Sequence, residues 1–202
     1  RLNGEGLQHE DGHSHIYASS IPNCVAYDAT FAYELAVIVQ DGMQRMYVDH
    51  EDVYYYITVE NENYVHPALP KGAEEGIKRG MYLFEKGKAA KGKPRVQLLG
   101  CGAIFREVQQ AGEMLRKDWG VESDLWAVPS FTELRRDGLE AQRQTLLNPT
   151  AKATASYVEQ CLAKQQGPVI AATDYMKSYS EQIRAFLPGK TYATLGTDGF
   201  GR

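Results

Sequence analysis

Short β-branched and aromatic runs alternate with stretches of helical period along most of this chain, and that alternation restricts the fold more than any other feature. The clearest run is Val53-Tyr54-Tyr55-Tyr56-Ile57-Thr58-Val59, a composition that suits a pleated, half-buried surface. Before it, Ile21 to Tyr27 predicts a strand with Pro22 confined to its start. Asp28 or Thr30 is placed to cap a helix over 31–46. There Phe31, Leu35, Ile38 and Val39 form a stripe, and Ala32, Ala36 and Val37 make the helix apolar nearly all round, which predicts burial. Strand, helix, strand in this order implies a parallel crossover. A second alternation begins with a strand at Arg95 to Leu99, then a helix over 103–117 carrying Ile104, Val108, Ala111 and Leu115. Leu125 to Val128 is the next strand, and Ser130 with Glu133 spells a capping box. Thr154 or Ser156 opens a helix with Val158, Cys161 and Leu162, and Val169 to Ala172 is a strand. Asp174 is then placed to cap a helix that turns Met176, Tyr179, Ile183 and Phe186 inward, before a last strand at Tyr192 to Leu195. The fold class this predicts is α/β with mainly parallel sheets.

The interruption between the two alternations is polar. Residues 60–70 contain Pro67 and Pro70, and 72–94 is rich in glycine and lysine, with Met81 to Phe84 as a short edge strand. The stretch Gly87 to Lys93 predicts a solvated, flexible connection rather than a phosphate patch. With 202 residues the chain is long enough for one large domain or two small ones. A net charge of -4 gives no basic footprint, which argues against nucleic acid and anionic membrane as partners. No apolar run has the length of a membrane span. Cys24, Cys101 and Cys161 are odd in number and far apart, so they are expected as reduced thiols packed like small hydrophobes. The opening Arg1-Leu2-Asn3 without methionine and the glycine-rich close suggest a piece of a longer polypeptide.

Functional residues concentrate in Gly4-Glu5-Gly6-Leu7-Gln8-His9-Glu10-Asp11-Gly12-His13-Ser14-His15, which holds three of the five histidines. A stretch this polar, without apolar periodicity, is a loop. Imidazole titrates near physiological pH, so the cluster is suited to proton transfer. An inert surface loop and a metal site compete with that reading, since His, Glu and Asp all ligate metals. His13 and His15 share a face only if the segment is extended. Neither H-E-x-x-H nor paired cysteines accompany them, so no metal ligands are assigned. Gly100-Cys101-Gly102 sits where a strand meets a helix, but Phe105 stands where a dinucleotide fingerprint needs its third glycine. A tight turn is the preferred reading there.

Several stretches resemble a known family. They are residues 3–16, Val53 to Thr58, Asn61-Glu62-Asn63-Tyr64, Ser130 to Leu134, Thr173 to Lys177 and Leu195 to Arg202. Together they are similar to the homodimeric decarboxylating components of bacterial pyruvate dehydrogenase, within the thiamine-diphosphate superfamily that includes transketolase. Transketolases carry a Glu-Asp-Gly loop followed three residues later by histidine, matched here by Glu10-Asp11-Gly12 and His15. Ser14 stands where transketolase has threonine, and no Gln-Pro follows, which argues against transketolase; pyruvate over another 2-oxo acid rests on the resemblance alone.

The resemblance implies the C-terminal part of a pyrimidine-binding domain over 1–66, a linker over 67–94 able to hold a hairpin, and a transketolase C-terminal-like domain over 95–202, cut short at its end. It implies thiamine diphosphate and Mg²⁺ as cofactors, bound mainly by residues outside this chain. It also implies pyruvate as substrate, dihydrolipoyl acetyltransferase as acceptor of the acetyl group, a homodimer, and the bacterial cytoplasm. His15 is the implied catalytic residue. Glu10, Asp11, Gly12, His13 and His9 are implied to support its loop, and His50 and His66 are expected to be structural or exposed. Two other readings stay open at this point: a different thiamine-diphosphate enzyme (a 2-oxo-acid dehydrogenase or a transketolase), and a non-catalytic dimerisation or docking module.

Overall fold

The structure, a computed structural model, describes residues 10–88 and 92–199. It has two sheets. In the first, β1 (Cys24–Asp28) pairs in parallel with β2 (Tyr54–Thr58), with Cys24 opposite Tyr54 and Asp28 opposite Thr58. The crossover between them is α2 (Ala32–Met43), continued by a π-helical turn at Gln44–Val48. Ahead of β1 lies a short helix, α1 (Ser14–Ser19).

Two expectations for α2 need correction. Its start is capped neither by Asp28 nor by Thr30. Glu34 reaches back instead, its Oε2 accepting from the backbone N–H of Thr30 at 2.6 Å and of Phe31 at 3.0 Å. A carboxylate one turn into the helix thus satisfies amide donors that have no partner inside it. Nor is the helix buried all round. Its buried residues are Glu34, Ile38 and Gly42, while Val39 and Met43 face outward together with Tyr47 and Val48 of the π turn.

Residues 59–73 run without regular structure across the start of α2. The Tyr64 hydroxyl donates to the Thr30 carbonyl, and His66 Nδ1 accepts from Ala32 N at 3.0 Å while its ring stacks on Tyr64. His66 is therefore structural, and His50 is exposed in the left-handed region at φ 54°.

The stretch read as a linker contributes to the second sheet. A short helix, α3 (Glu74–Lys78), leads to β3 (Tyr82–Glu85). Among the described residues no hairpin forms there: β3 lies antiparallel to β5 (Glu122–Ala127), which makes it an edge strand. The sheet order is β3-β5-β4-β6-β7, with β4 (Arg95–Gly100), β6 (Val169–Met176) and β7 (Tyr192–Thr197) parallel to β5. Buried Asp124 on β5 holds the connection down, accepting from Lys86 Nζ, Gly87 N and Gln97 Nε2, each at 2.9 Å, and from Arg95. The part of the lysine run at 89–91 lies outside the described residues.

Helices cover both faces, as a parallel sheet requires. From β4 the chain steps one way to β5 through α4 (Ile104–Trp119), which packs Phe105 and Val108 against Leu98 and Leu125. It then crosses back to β6 through α5 (Phe131–Leu147) and α6 (Tyr157–Leu162), and on to β7 through α7 (Lys177–Glu181) and a 3-10 turn at Arg184–Phe186. These elements bury Phe131, Leu134, Leu162, Tyr179 and Ile183 against Leu99 and Ala171 on the opposite face. Ser130 caps α5 and Ser156 caps α6, their hydroxyls accepting from N–H three residues on at 3.0 and 3.3 Å. Asp174 does not cap α7; it lies inside β6, whose extension to Met176 pairs with Thr197. The three cysteines are free thiols, with Cys24 and Cys101 buried.

The two sheets are clamped together. The edge of β1 not used by β2 receives Ser130 Oγ at the Ala26 carbonyl (2.6 Å) and Arg136 Nη2 at the Cys24 carbonyl (2.9 Å). Asp28 N donates in turn to Pro129 O at 2.8 Å.

Candidate active site

The polar loop is built by Asp11. Its Oδ1 accepts from the N–H of His13 (3.0 Å) and Ser14 (2.9 Å), and its Oδ2 accepts from the Ser14 hydroxyl. This arrangement starts α1 at Ser14. Gly12 O accepts from Met176 N at 3.0 Å, which ties the loop to the end of β6. Because the chain turns helical between them, His13 and His15 diverge. His13 is half-buried and stacks at 6.0 Å on Tyr17, which is exposed. Glu10 is half-buried, and His9 lies outside the described residues.

His15 points into the protein and is 0% exposed. Three tyrosine rings surround it: Tyr175 at 4.9 Å and Tyr56 at 5.4 Å, both edge-on, and Tyr179 at 5.0 Å, stacked. Tyr56 comes from β2, Tyr175 from β6 and Tyr179 from α7, so the cage exists only where the two sheets meet. His15 Nε2 lies 2.8 Å from Thr58 Oγ1. Thr58 in turn donates to Asp28 Oδ1 at 2.6 Å. The Tyr175 hydroxyl lies 3.2 Å from Thr58 Oγ1 and 3.4 Å from Asp28 Oδ1. Burial pushes the Tyr179 phenol and the Cys101 thiol well above their ordinary values, so both stay protonated at neutral pH. Chemically, the arrangement is an imidazole in a dry aromatic cage, linked through one hydroxyl to a buried carboxylate.

Sequence reasoning placed His15 in the site and missed its surroundings. Asp28 was considered only as a helix cap, and Thr58 only as part of a strand. Thr58 and Tyr56 lie on β2, in the aromatic run; Tyr175 lies in one of the stretches that carried the resemblance. Which rings meet the imidazole depends on contacts up to 164 positions apart, between His15 and Tyr179.

The Gly100-Cys101-Gly102 turn is not an anion site. Gly102 has φ 51°, and a Cβ there would collide with the Asp28 carboxylate. Thr30 Oγ1 donates to Gly102 O at 3.2 Å. A phosphate approaching this turn would meet a carboxylate already seated against it, so neither a dinucleotide nor a diphosphate fits. Among the described residues no group of three His, Cys, Asp or Glu side chains could hold a metal ion. These residues therefore do not fit a diphosphate–Mg²⁺ site. Two cavities of about 460 and 390 Å³ open beside α5, one lined by Arg79, Arg136 and Asp137 and the other by Gly138, Ala141 and Phe186; His15 lines neither.

Residues 1–67 match the family model described as pyruvate dehydrogenase E1 component middle domain. Residues 80–202 match that of the transketolase-like TK C-terminal domain. The chain is 60% identical over 201 residues to the pyruvate dehydrogenase E1 component of Cupriavidus necator and 61% identical to that of Pseudomonas aeruginosa. It is 54% identical over 202 residues to that of Escherichia coli K12. Each alignment takes in 100% of this chain but only 22–23% of the relative's length. Transketolase from Campylobacter jejuni superposes with a TM-score of 0.60 at 14% identity, over 96% of this chain and 25% of that one. Transketolase from Pichia stipitis gives 0.61 at 12% identity, over 96% of this chain and 24% of that one. These structural matches speak for the fold alone. The chain belongs to the family of the transketolase-like TK C-terminal domain.

Proposed function

We propose that this chain is part of an enzyme that oxidatively decarboxylates pyruvate on thiamine diphosphate and passes the acetyl group to the lipoyl group of dihydrolipoyl acetyltransferase. The observation that carries this is 60–61% identity along its whole length to two pyruvate dehydrogenase E1 components. Transketolase, at 12–14% identity, shares fold only. Thiamine diphosphate supplies the nucleophile and the electron sink for loss of CO₂. Its diphosphate and Mg²⁺ are held mainly by the part of the relatives' length that this chain does not span. In this reading residues 1–66 belong to the pyrimidine-binding domain, 67–94 connect, and 95–202 belong to the C-terminal domain. The assembly is a homodimer in the bacterial cytoplasm. No helix among the described residues is long and apolar enough to cross a membrane.

Within that enzyme His15 is the catalytic residue of this chain. Its ring holds or delivers a proton where negative charge develops on the substrate. The tyrosine cage keeps bulk water from the imidazole and fixes its plane. Asp11 and Gly12 aim it, by starting α1 and tying the loop to β6; Glu10 and His13, with His9 outside the described residues, are assigned supporting roles. The experiment is release of CO₂ from pyruvate by the full-length enzyme with thiamine diphosphate and Mg²⁺. His15→Ala should slow turnover or lipoyl acetylation about 10²-fold or more. Unchanged kinetics in this variant would remove His15 from the reaction, and no CO₂ from pyruvate in the unaltered enzyme would refute the assignment.

A further inference from the structure

We propose that Thr58 is a positioning residue which, held by Asp28, locks His15 as its Nε2–H tautomer and so makes Nδ1 the nitrogen that gives and takes the proton. The inference rests on the reading that His15 does proton work, and deepens it by naming the atom.

The argument is donor counting. A threonine hydroxyl has one hydrogen to donate and two lone pairs. An ionised carboxylate only accepts. Thr58 Oγ1 lies 2.6 Å from Asp28 Oδ1, so its hydrogen is committed there. At 2.8 Å from the same oxygen, His15 Nε2 faces a lone pair and must carry a hydrogen itself. A neutral imidazole has one N–H, so the basic nitrogen is Nδ1. When Nδ1 is protonated, Nε2–H still donates to Thr58, and the positive ring is stabilised through the hydroxyl by Asp28. When Nδ1 releases its proton, the ring returns to the same neutral tautomer without rotating. Thr58, His15 and Asp28 are all 9% exposed or less, so water does not compete for these bonds.

Among the described residues, three phenols face the ring: Tyr56 from β2, Tyr175 from β6 and Tyr179 from α7. Tyr175 donates towards Thr58 Oγ1 and Asp28 Oδ1, at 3.2 and 3.4 Å, and so supports the same polarity. Burial keeps the Cys101 thiol neutral.

The test uses the full-length enzyme, comparing Thr58→Val, Thr58→Ser and His15→Gln by the pH profile of pyruvate decarboxylation. Thr58→Val removes the acceptor for Nε2–H. The imidazolium should then lose its proton more easily, and the alkaline limb of kcat should move down by about one pH unit, a tenfold change in the protonated fraction. KM for pyruvate should change much less than kcat. Thr58→Ser should restore the original profile. An unmoved profile in Thr58→Val, with His15→Gln inactive, would overturn the role of Thr58 and leave that of His15 standing. Full activity in His15→Gln would overturn both. Should Thr58→Val fail to fold, ¹⁵N shifts of labelled histidine in the unaltered enzyme decide the matter. A pyrrole-type Nε2 and a pyridine-type Nδ1 for His15 support the proposal, and the reverse pattern ends it.

Discussion

Ser130→Ala tests how the two sheets are held together. Ser130 is fully buried, and its hydroxyl does two things at once. It accepts from Glu133 N at 3.0 Å, capping α5, and donates to the Ala26 carbonyl at 2.6 Å on the open edge of β1. Loss of a serine N-cap costs about 1 kcal/mol. Leaving a buried carbonyl without its donor costs a further ~1–2 kcal/mol. The sum is about 2–3 kcal/mol. For a chain of this size each kcal/mol lowers Tm by about 2–4 °C, so the expected fall is about 4–12 °C by scanning calorimetry. Ser130→Gly separates the two effects, because glycine costs only a few tenths of a kcal/mol at an N-cap but leaves Ala26 equally unpaired, about 1–2 kcal/mol in all. Glycine should therefore fall between alanine and wild type. A Tm for Ser130→Ala within 1 °C of wild type would refute the view that this hydroxyl clamps the sheets. Equal values for alanine and glycine would refute the capping contribution alone. The consequence reaches the site, because Thr58 on β2 and Tyr175 on β6 meet across this same junction.

Glu34 is fully buried, and burial pushes its carboxyl above the usual range, against the hydrogen bonds from Tyr82 and the amides of Phe31 and Thr30. The folded state then binds this proton more tightly than the unfolded chain, so stability falls as pH rises from the ordinary carboxylate range through the raised value. Glu34→Gln should lose that slope, seen as a urea midpoint that no longer declines with pH relative to wild type; parallel curves would refute it. Gly138→Ala should destabilise although alanine favours helix, because a Cβ there lies 2.5 Å from the Phe186 ring. Overpacking of ~1–3 kcal/mol exceeds the gain of up to about 1 kcal/mol in propensity, and a raised Tm would contradict this. Titration calorimetry of the isolated 202-residue chain with thiamine diphosphate and Mg²⁺ should show no binding, since the Asp28 carboxylate is already seated against the Gly100-Cys101-Gly102 turn. Tight binding would contradict that reading.

Much of the scaffold was legible from residue order. Strand and helix periods are local properties, and the runs at 53–59, 95–99 and 125–128 carry them plainly; all three form parallel strands. The Ser130–Glu133 cap was equally local, since donor and acceptor are three residues apart. His15 stood out because a polar, histidine-rich loop has few structural uses.

Other features depended on partners distant in the chain. An apolar helix at 31–46 was expected to be buried, yet Val39 and Met43 face outward, because burial is set by which face meets a neighbour and not by composition. Asp174 has the residue type of a cap and lies in a strand, because Met176 pairs with Thr197 and donates to Gly12. Asp28 looked like a cap and is the buried carboxylate behind the candidate site. Hydrophobic period and capping chemistry act over a few residues, so residue order alone settled an α/β chain of mainly parallel strands with its histidine loop in front. Which side chains enclose that histidine was settled only when the two sheets closed on each other, because the cost of burying an imidazole and a carboxylate is met by partners that no local pattern brings together.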